Sequence, residues 1–359
     1  MKFYYLLSCL ILCSCLFSAA SLTAQKPFSN EFFQSFDEKS VQLRQFEPRP
    51  HQPESYTAWK MDYARLAQHL LSAPHETASS RKGICTFSLP VAQGTFESFS
   101  VWATDIMHPD LQAKFPDIRT YSGISNDGTG NTVRITMSSV RGAHITLVRP
   151  DMSIAYIEPY WWGQTTYYMQ FERSALTGKR LPDFTSPYLE PVTLPTVSSS
   201  AVGVSDRGAL TPVELYILRF AITPTKGFVE DHGGTKESCM AALVSYANRT
   251  NIAYERDCAM RLQLISNNDK LIGGSGEIED SGDNGNMAAA NRQLTNTRIG
   301  FANYDIGHVF ARGGGGVSLG LGIVCGPNKS GGCSAGGGRN DYGDFFVGVV
   351  GQETGHQLS

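Results

Sequence analysis

Near residue 205 the apolar residues change their period, and that change limits what the chain can fold into. Before it, short segments alternate apolar and polar side chains: 86–90, 96–102, 132–137, 143–147, 154–159 and 166–171, with a turn cluster at 125–131. A period of two, broken by Gly, Asn and Asp, marks half-buried strands. After it, strands and helices take turns. Residues 214–222 read as a strand apolar on both faces, as a covered sheet requires. Thr235 opens a long helix to about Glu255, with Met240, Leu243, Val244 and Ala247 as its buried stripe. Residues 259–265 read as a strand, 286–295 as a helix and 304–310 as a strand. Such alternation calls for a mixed or parallel sheet flanked by helices. Between the two patterns, Pro182, Pro187, Pro191, Pro195 and Ser198 to Ser200 compose a linker. The expected fold class is α+β: a β-rich domain over 25–173, a linker over 174–205 and a second domain over 206–359 built on a mixed twisted sheet with long helices.

The first 24 residues read as a signal peptide. Lys2 supplies the positive start, 4–20 is apolar or small, and Ala20 and Ala24 offer small residues for cleavage. Secretion follows, with lipoprotein anchoring through Cys9 or Cys15 the weaker reading. No second apolar run reaches spanning length, so no membrane span is expected after signal removal. With 30 basic against 33 acidic residues and a net charge of −3, the chain has no footprint for nucleic acid.

Five cysteines follow the signal. In an oxidising compartment Cys325 and Cys333, bracketing a short Gly-rich loop, are the first candidate disulfide. Cys239 with Cys258 is the second, and Cys85 is left over. His108 and His144 are isolated and read as surface or hydrogen-bonded strand residues. Residues 248–250 match a glycosylation sequon, but inside the predicted helix. Trp59, Tyr63, Leu66, Leu70 and Leu71 suggest one amphipathic helix ended by Pro74. The acidic stretch from Asp280 to Asp283 reads as a solvated loop; no calcium site is read from it.

Toward the end, Gly313 to Gly316 precede a strand-like run, 317–323. Val317, Leu319, Leu321 and Ile323 share one face, and Ser318, Gly320 and Gly322 the other. A bare face admits close backbone approach. It suits either a peptide added along a sheet edge at Val317, Ser318, Leu319 and Gly320, or packing beneath a helix. The last segment, 344–359, is expected to be helical despite Gly348, Gly351 and Gly355, each costing about 1 kcal/mol against alanine. Phe345, Val349, Gln352 and His356 fall on one stripe. Within it, Gln352-Glu353-Thr354-Gly355-His356 differs by one residue from H-E-x-x-H, the helical pattern that brings two imidazoles to one zinc with a glutamate as general base.

These stretches resemble a secreted bacterial reprolysin-like zinc metallopeptidase of the metzincin group. The likeness is carried by 232–235, 251–255, 261–264 with 267–269, 302–310, 313–325 and 353–357. Residues 87–171, including 115–123 and 156–159, are similar to that group's propeptide. The resemblance implies a zymogen, protein or peptide substrates, and a zinc-activated water with Glu353 as general base and His356 as ligand. The family pattern is H-E-x-x-H-x-x-G-x-x-H followed by a Met-turn. Here Gln352 stands at the first ligand position and Ser359 at the glycine, and the third ligand falls beyond Ser359. A catalytic zinc takes three protein ligands, so zinc binding and hydrolysis are not expected of the chain as written. The expectation is a C-terminally truncated catalytic domain. The alternative is a metal-free pseudo-peptidase that binds peptide or protein. Cys85 as a thiolate masking a zinc is the less favoured reading against a buried structural cysteine.

Overall fold

A computed structural model describes residues 29–38, 53–79, 83–176, 214–337 and 343–359. The expected signal peptide lies outside the described residues, as does most of the expected linker. The first strands are β1 (Phe33–Ser35), β2 (Thr57–Met61), β3 (Thr86–Ala92) and β4 (Thr95–Ala103). They are followed by β5 (Arg119–Ser125), β6 (Thr132–Ser138), β7 (Gly142–Val148), β8 (Ile154–Pro159) and β9 (Tyr167–Glu172). Together they form one sheet in the order β1-β2-β9-β8-β7-β6-β5-β4-β3, every pairing antiparallel. Two short helices, α1 (Tyr63–Leu70) and α2 (Pro109–Lys114), accompany this N-terminal sheet. The helix expected from Trp59 starts only at Tyr63. Trp59 lies on β2, fully buried, and Asp62 caps α1 by accepting from the Arg65 amide at 3.1 Å.

The second half contributes β10 (Tyr216–Pro224), α3 (Lys226–Asp231), α4 (Lys236–Cys258), β11 (Met260–Leu264) and α5 (Asn284–Arg298). Strands β12 (Ile306–Ala311), β13 (Gly315–Ser318) and β14 (Gly332–Ala335) lead to the final helix, α6 (Asp344–Leu358). The C-terminal sheet runs β11-β10-β12-β14-β13. Its strands are parallel except β13, which is antiparallel to β14. Among the described residues no helix is long and apolar enough to cross a membrane.

Period-two alternation on β12 sorts the layers. His308 and Phe310 face α4 and α6, whereas Val309 and Ala311 join Met287 and Ala288 of α5 on the other face. Helix α4 is buried nearly all round from Cys239 to Asn251, not along one stripe. Met240, Leu243, Val244 and Ala247 meet the C-terminal sheet's core, while Asn248 and Arg249 turn to the N-terminal sheet. Thr235 caps its start, accepting from the Ser238 amide at 3.1 Å, and Ala259 ends it with φ 50°.

Asp280 is no solvated loop residue. Its carboxylate accepts from the Thr225 hydroxyl (2.7 Å), the Arg312 amide (2.8 Å) and the Gly227 amide (2.9 Å), tying three segments together.

Candidate functional site

Helix α6 holds its glycines because packing supplies what propensity lacks. Phe346, Val349, Val350, Glu353, Thr354 and Gln357 are its buried residues. The expected stripe through Phe345 and Gln352 is displaced by about one residue: Gln352 is exposed and His356 half-buried. Gln352 and His356 still share a face, at i and i+4.

Glu353 is buried at 2% exposure beneath the edge strand β13. A Cβ at Gly316 would run into the Glu353 side chain and lie 2.9 Å from the Cys333 carbonyl oxygen. The bare face seen in the sequence is therefore filled by α6. Burial alone raises the Glu353 carboxyl to about 7. The Nε2 atom of His356 is buried and has no hydrogen-bond partner. That is an unsatisfied donor or acceptor of the kind a metal would occupy.

The edge strand departs from expectation in extent. It spans Gly315–Ser318, so Val317 and Ser318 are on it while Leu319 and Gly320 continue past its end. Leu319 still donates its amide to the Gly331 carbonyl at 2.8 Å, and Ser318 Oγ donates to Gly320 O at 2.6 Å. Among the described residues, no strand pairs with the outer side of β13.

A polar lock that the sequence did not announce joins α6 to the sheet. Gln357 donates through Nε2 to the carbonyls of Gly307 (3.0 Å) and Lys329 (3.2 Å). Its oxygen must then face His308 Nδ1, 2.7 Å away, so Nδ1 carries the hydrogen. His308 Nε2 accordingly accepts from Ser334 Oγ at 2.8 Å. His308 is completely buried, which pushes its pKa down to about 4. A Cβ at Gly332 would overlap both His308 and Gln357. His308 is thus a packed, hydrogen-bonded strand residue and not a ligand.

The cysteine pairings are corrected. All five cysteines after residue 24 are free thiols. Cys239 and Cys258 stand at opposite ends of the 23-residue α4, about 28 Å apart at about 1.5 Å rise per residue. A disulfide needs Cα atoms about 6 Å apart. Cys325 is exposed on a loop while Cys333 is buried on β14. Cys85 lies in the core of the N-terminal sheet, its thiol raised by burial, which opposes a masking thiolate.

The other sequence signals resolve simply. His144 is buried, with Nδ1 2.6 Å from Glu158 Oε2, and His108 caps α2. Asn248 of the sequon is buried and donates to Ile135 O at 3.1 Å. Among the described residues, the one grouping of three or more metal-capable side chains is His75, Glu76 and Asp105, far along the chain from α6.

Residues 240–359 match the family model described as metallo-peptidase family M12B, reprolysin-like. The chain carries a reprolysin-like metallopeptidase domain. No curated protein matches the chain. The matched stretch opens inside α4 and takes in β11 to β14 and α6, so it contains both the edge strand and Glu353. The family is one of zinc metallopeptidases, hydrolases of protein or peptide substrates. In the reprolysin-like domain the residues present do not fit a catalytic zinc. One imidazole nitrogen is free to bind, but the neighbouring position on the face is an exposed, neutral glutamine amide. Three protein ligands are the rule for such a site, and glutamine is not among the usual donors.

Proposed function

We propose that the chain is the secreted zymogen form of a reprolysin-like peptidase whose zinc site is incomplete within residues 1–359. Residues 1–24 act as the signal, 25–173 as the propeptide-like domain, 174–205 as the linker and 206–359 as the catalytic-type domain. The carrying observation is Glu353, a carboxyl buried against Gly316 of the edge strand with its pKa raised to about 7, on the same helix as His356. A carboxyl poised near neutrality is what a general base needs. The exposed Gln352 amide beside it is what withholds hydrolysis. Zinc content and casein cleavage by the purified chain test this reading. Absent zinc and absent cleavage are expected; one zinc per chain with cleavage overturns it.

A second reading rests on the open edge of β13. A metal-free domain retains a strand able to pair with an extended peptide along Val317 to Gly320. Fluorescence anisotropy with unstructured peptides should then detect saturable binding that Ser318→Pro, which removes an amide facing away from β14, abolishes. A signal unaffected by that substitution rules the edge out.

A further inference from the structure

We propose that the propeptide-like sheet region of this zymogen is not shed when the connecting segment is cut but stays bound to the reprolysin-like domain as a scaffold. It leaves uncovered the cleft side, meaning the outer edge of β13 and the Gln352–His356 face of α6. The inference does not depend on whether the site binds zinc.

Four kinds of contact join the halves. Ile106, Met107, Leu111, Phe115 and Ile118 come from the N-terminal region, yet they belong to the same buried cluster as Leu243 of α4 and Leu262 of β11. Neither half can bury that cluster alone, which is how an obligate interface differs from a transient one. The outer edge of β11 is also closed by this region: Leu264 N donates to Ile106 O and His108 N to Leu264 O, both at 2.8 Å. The C-terminal sheet thus has one edge sealed by the scaffold, while β13 remains open.

Buried charge follows the same boundary. Arg249 of α4 pairs with Glu158 of β8, and both side chains are almost fully buried. Glu158 also meets His144 Nδ1. Arg261 of β11, 5% exposed, lies between Glu255 of its own half (2.6 Å) and Glu76 of the other. Arg134 of β6 reaches the same Glu255. Three of these four pairs cross the boundary, so withdrawing one half strips Arg249 and Glu158 of each other and leaves Glu76 and Arg134 without their partners, while Arg261 and Glu255 keep only one another.

The fourth contact reaches the site helix. Asp344, in the first turn of α6, accepts from Tyr156 Oη and from Arg173 Nε (2.8 Å), both in the N-terminal region. The scaffold therefore helps to fix where α6 begins. By contrast, among the described residues no hydrogen bond or ion pair from 29–176 reaches Val317 to Gly320 or Gln352 to His356.

The test inserts a recognition site for a sequence-specific protease between Ser199 and Ser200 of the full chain and cuts it. The two pieces should co-elute as one species at micromolar concentration and part only in denaturant. Glu158→Gln, which leaves Arg249 beside a neutral amide, should speed dissociation of the cut pair at least tenfold. Lys114→Ala, at the partly exposed pair with Asp269, should change it less than threefold. Pieces that separate in buffer, or a Glu158→Gln rate equal to wild type, overturn the scaffold. For the cleft, Gln352→Cys in a Cys258→Ser, Cys325→Ser background should label in the uncut chain as fast as an exposed thiol. Labelling slowed a hundredfold would show the cleft covered and overturn that part.

Discussion

His308→Gln isolates the buried lock between β12 and α6. In the folded chain His308 is neutral, held as the Nδ1–H tautomer by Gln357 and accepting from Ser334 at Nε2. Its pKa is lowered by burial from 6.5 to about 4. Between those values the unfolded chain binds a proton that the folded chain refuses, so stability falls as pH drops below 6.5. At about 1.4 kcal/mol per pH unit, the fall from pH 6.5 to 5.0 removes about 2 kcal/mol. Glutamine cannot take up the proton, so the variant lacks this loss. It carries instead a pH-independent cost of about 1–3 kcal/mol, because one of the two buried hydrogen bonds goes unmade. Urea unfolding of both proteins at pH 7.5 and 5.0 gives the four free energies required. Other titrating groups cancel in the double difference, since the His308 ring is surrounded by Phe220, Phe310, Gln357 and Ser334, none of them charged. The expected double difference is about 2 kcal/mol. Parallel pH dependence in the two proteins would refute the buried neutral histidine.

Glycines of α6 and of the strand it faces should separate by surroundings: Gly348→Ala, with open space around the new methyl, should stabilise by about 0.5–1 kcal/mol. Gly332→Ala, on the facing strand, should destabilise by more than 2 kcal/mol through overlap with His308 and Gln357, an order-of-magnitude figure for overpacking, read by thermal melting. Cys258 and Cys325 should react with a thiol reagent in the folded chain, and Cys258→Ser and Cys325→Ser should each remove one fast-reacting group. Cys85, Cys239 and Cys333 should react only on unfolding; unreactive Cys325 would point back to a disulfide. Gln352→His should raise zinc affinity at least tenfold in competition with a chromogenic chelator, and an unchanged affinity would show that the amide is not the defect.

Strand and helix identity were legible where the period was long and clean. The alternating segments of the N-terminal half appear as β3, β4 and β6 to β9, and the long helix after Thr235 appears as α4. Strand β5 escaped because Ser122 and Gly123 break its apolar alternation. Gly123 is there because any Cβ would press on Val101 and the Ser100 carbonyl, a cross-strand fact with no local trace. The bare face near β13 was visible in the sequence; that α6 fills it at Gly316 was not. The cysteine pairings failed because spacing along the chain says nothing of helix length in space, and α4 holds Cys239 and Cys258 apart.

The sequence by itself determined the two-part organisation, the α+β class, the reprolysin-like signature and the odd residue, Gln352, at the head of its motif. These are local properties: period, composition and residue type at fixed spacing. Only the tertiary structure decided that Glu353 is buried and protonatable near neutrality, that Gln357 locks His308, and that the α2 segment between β4 and β5 shares a core with the C-terminal sheet. Each of those depends on residues about 40 or more positions apart along the chain, brought together by packing, and no local period records them.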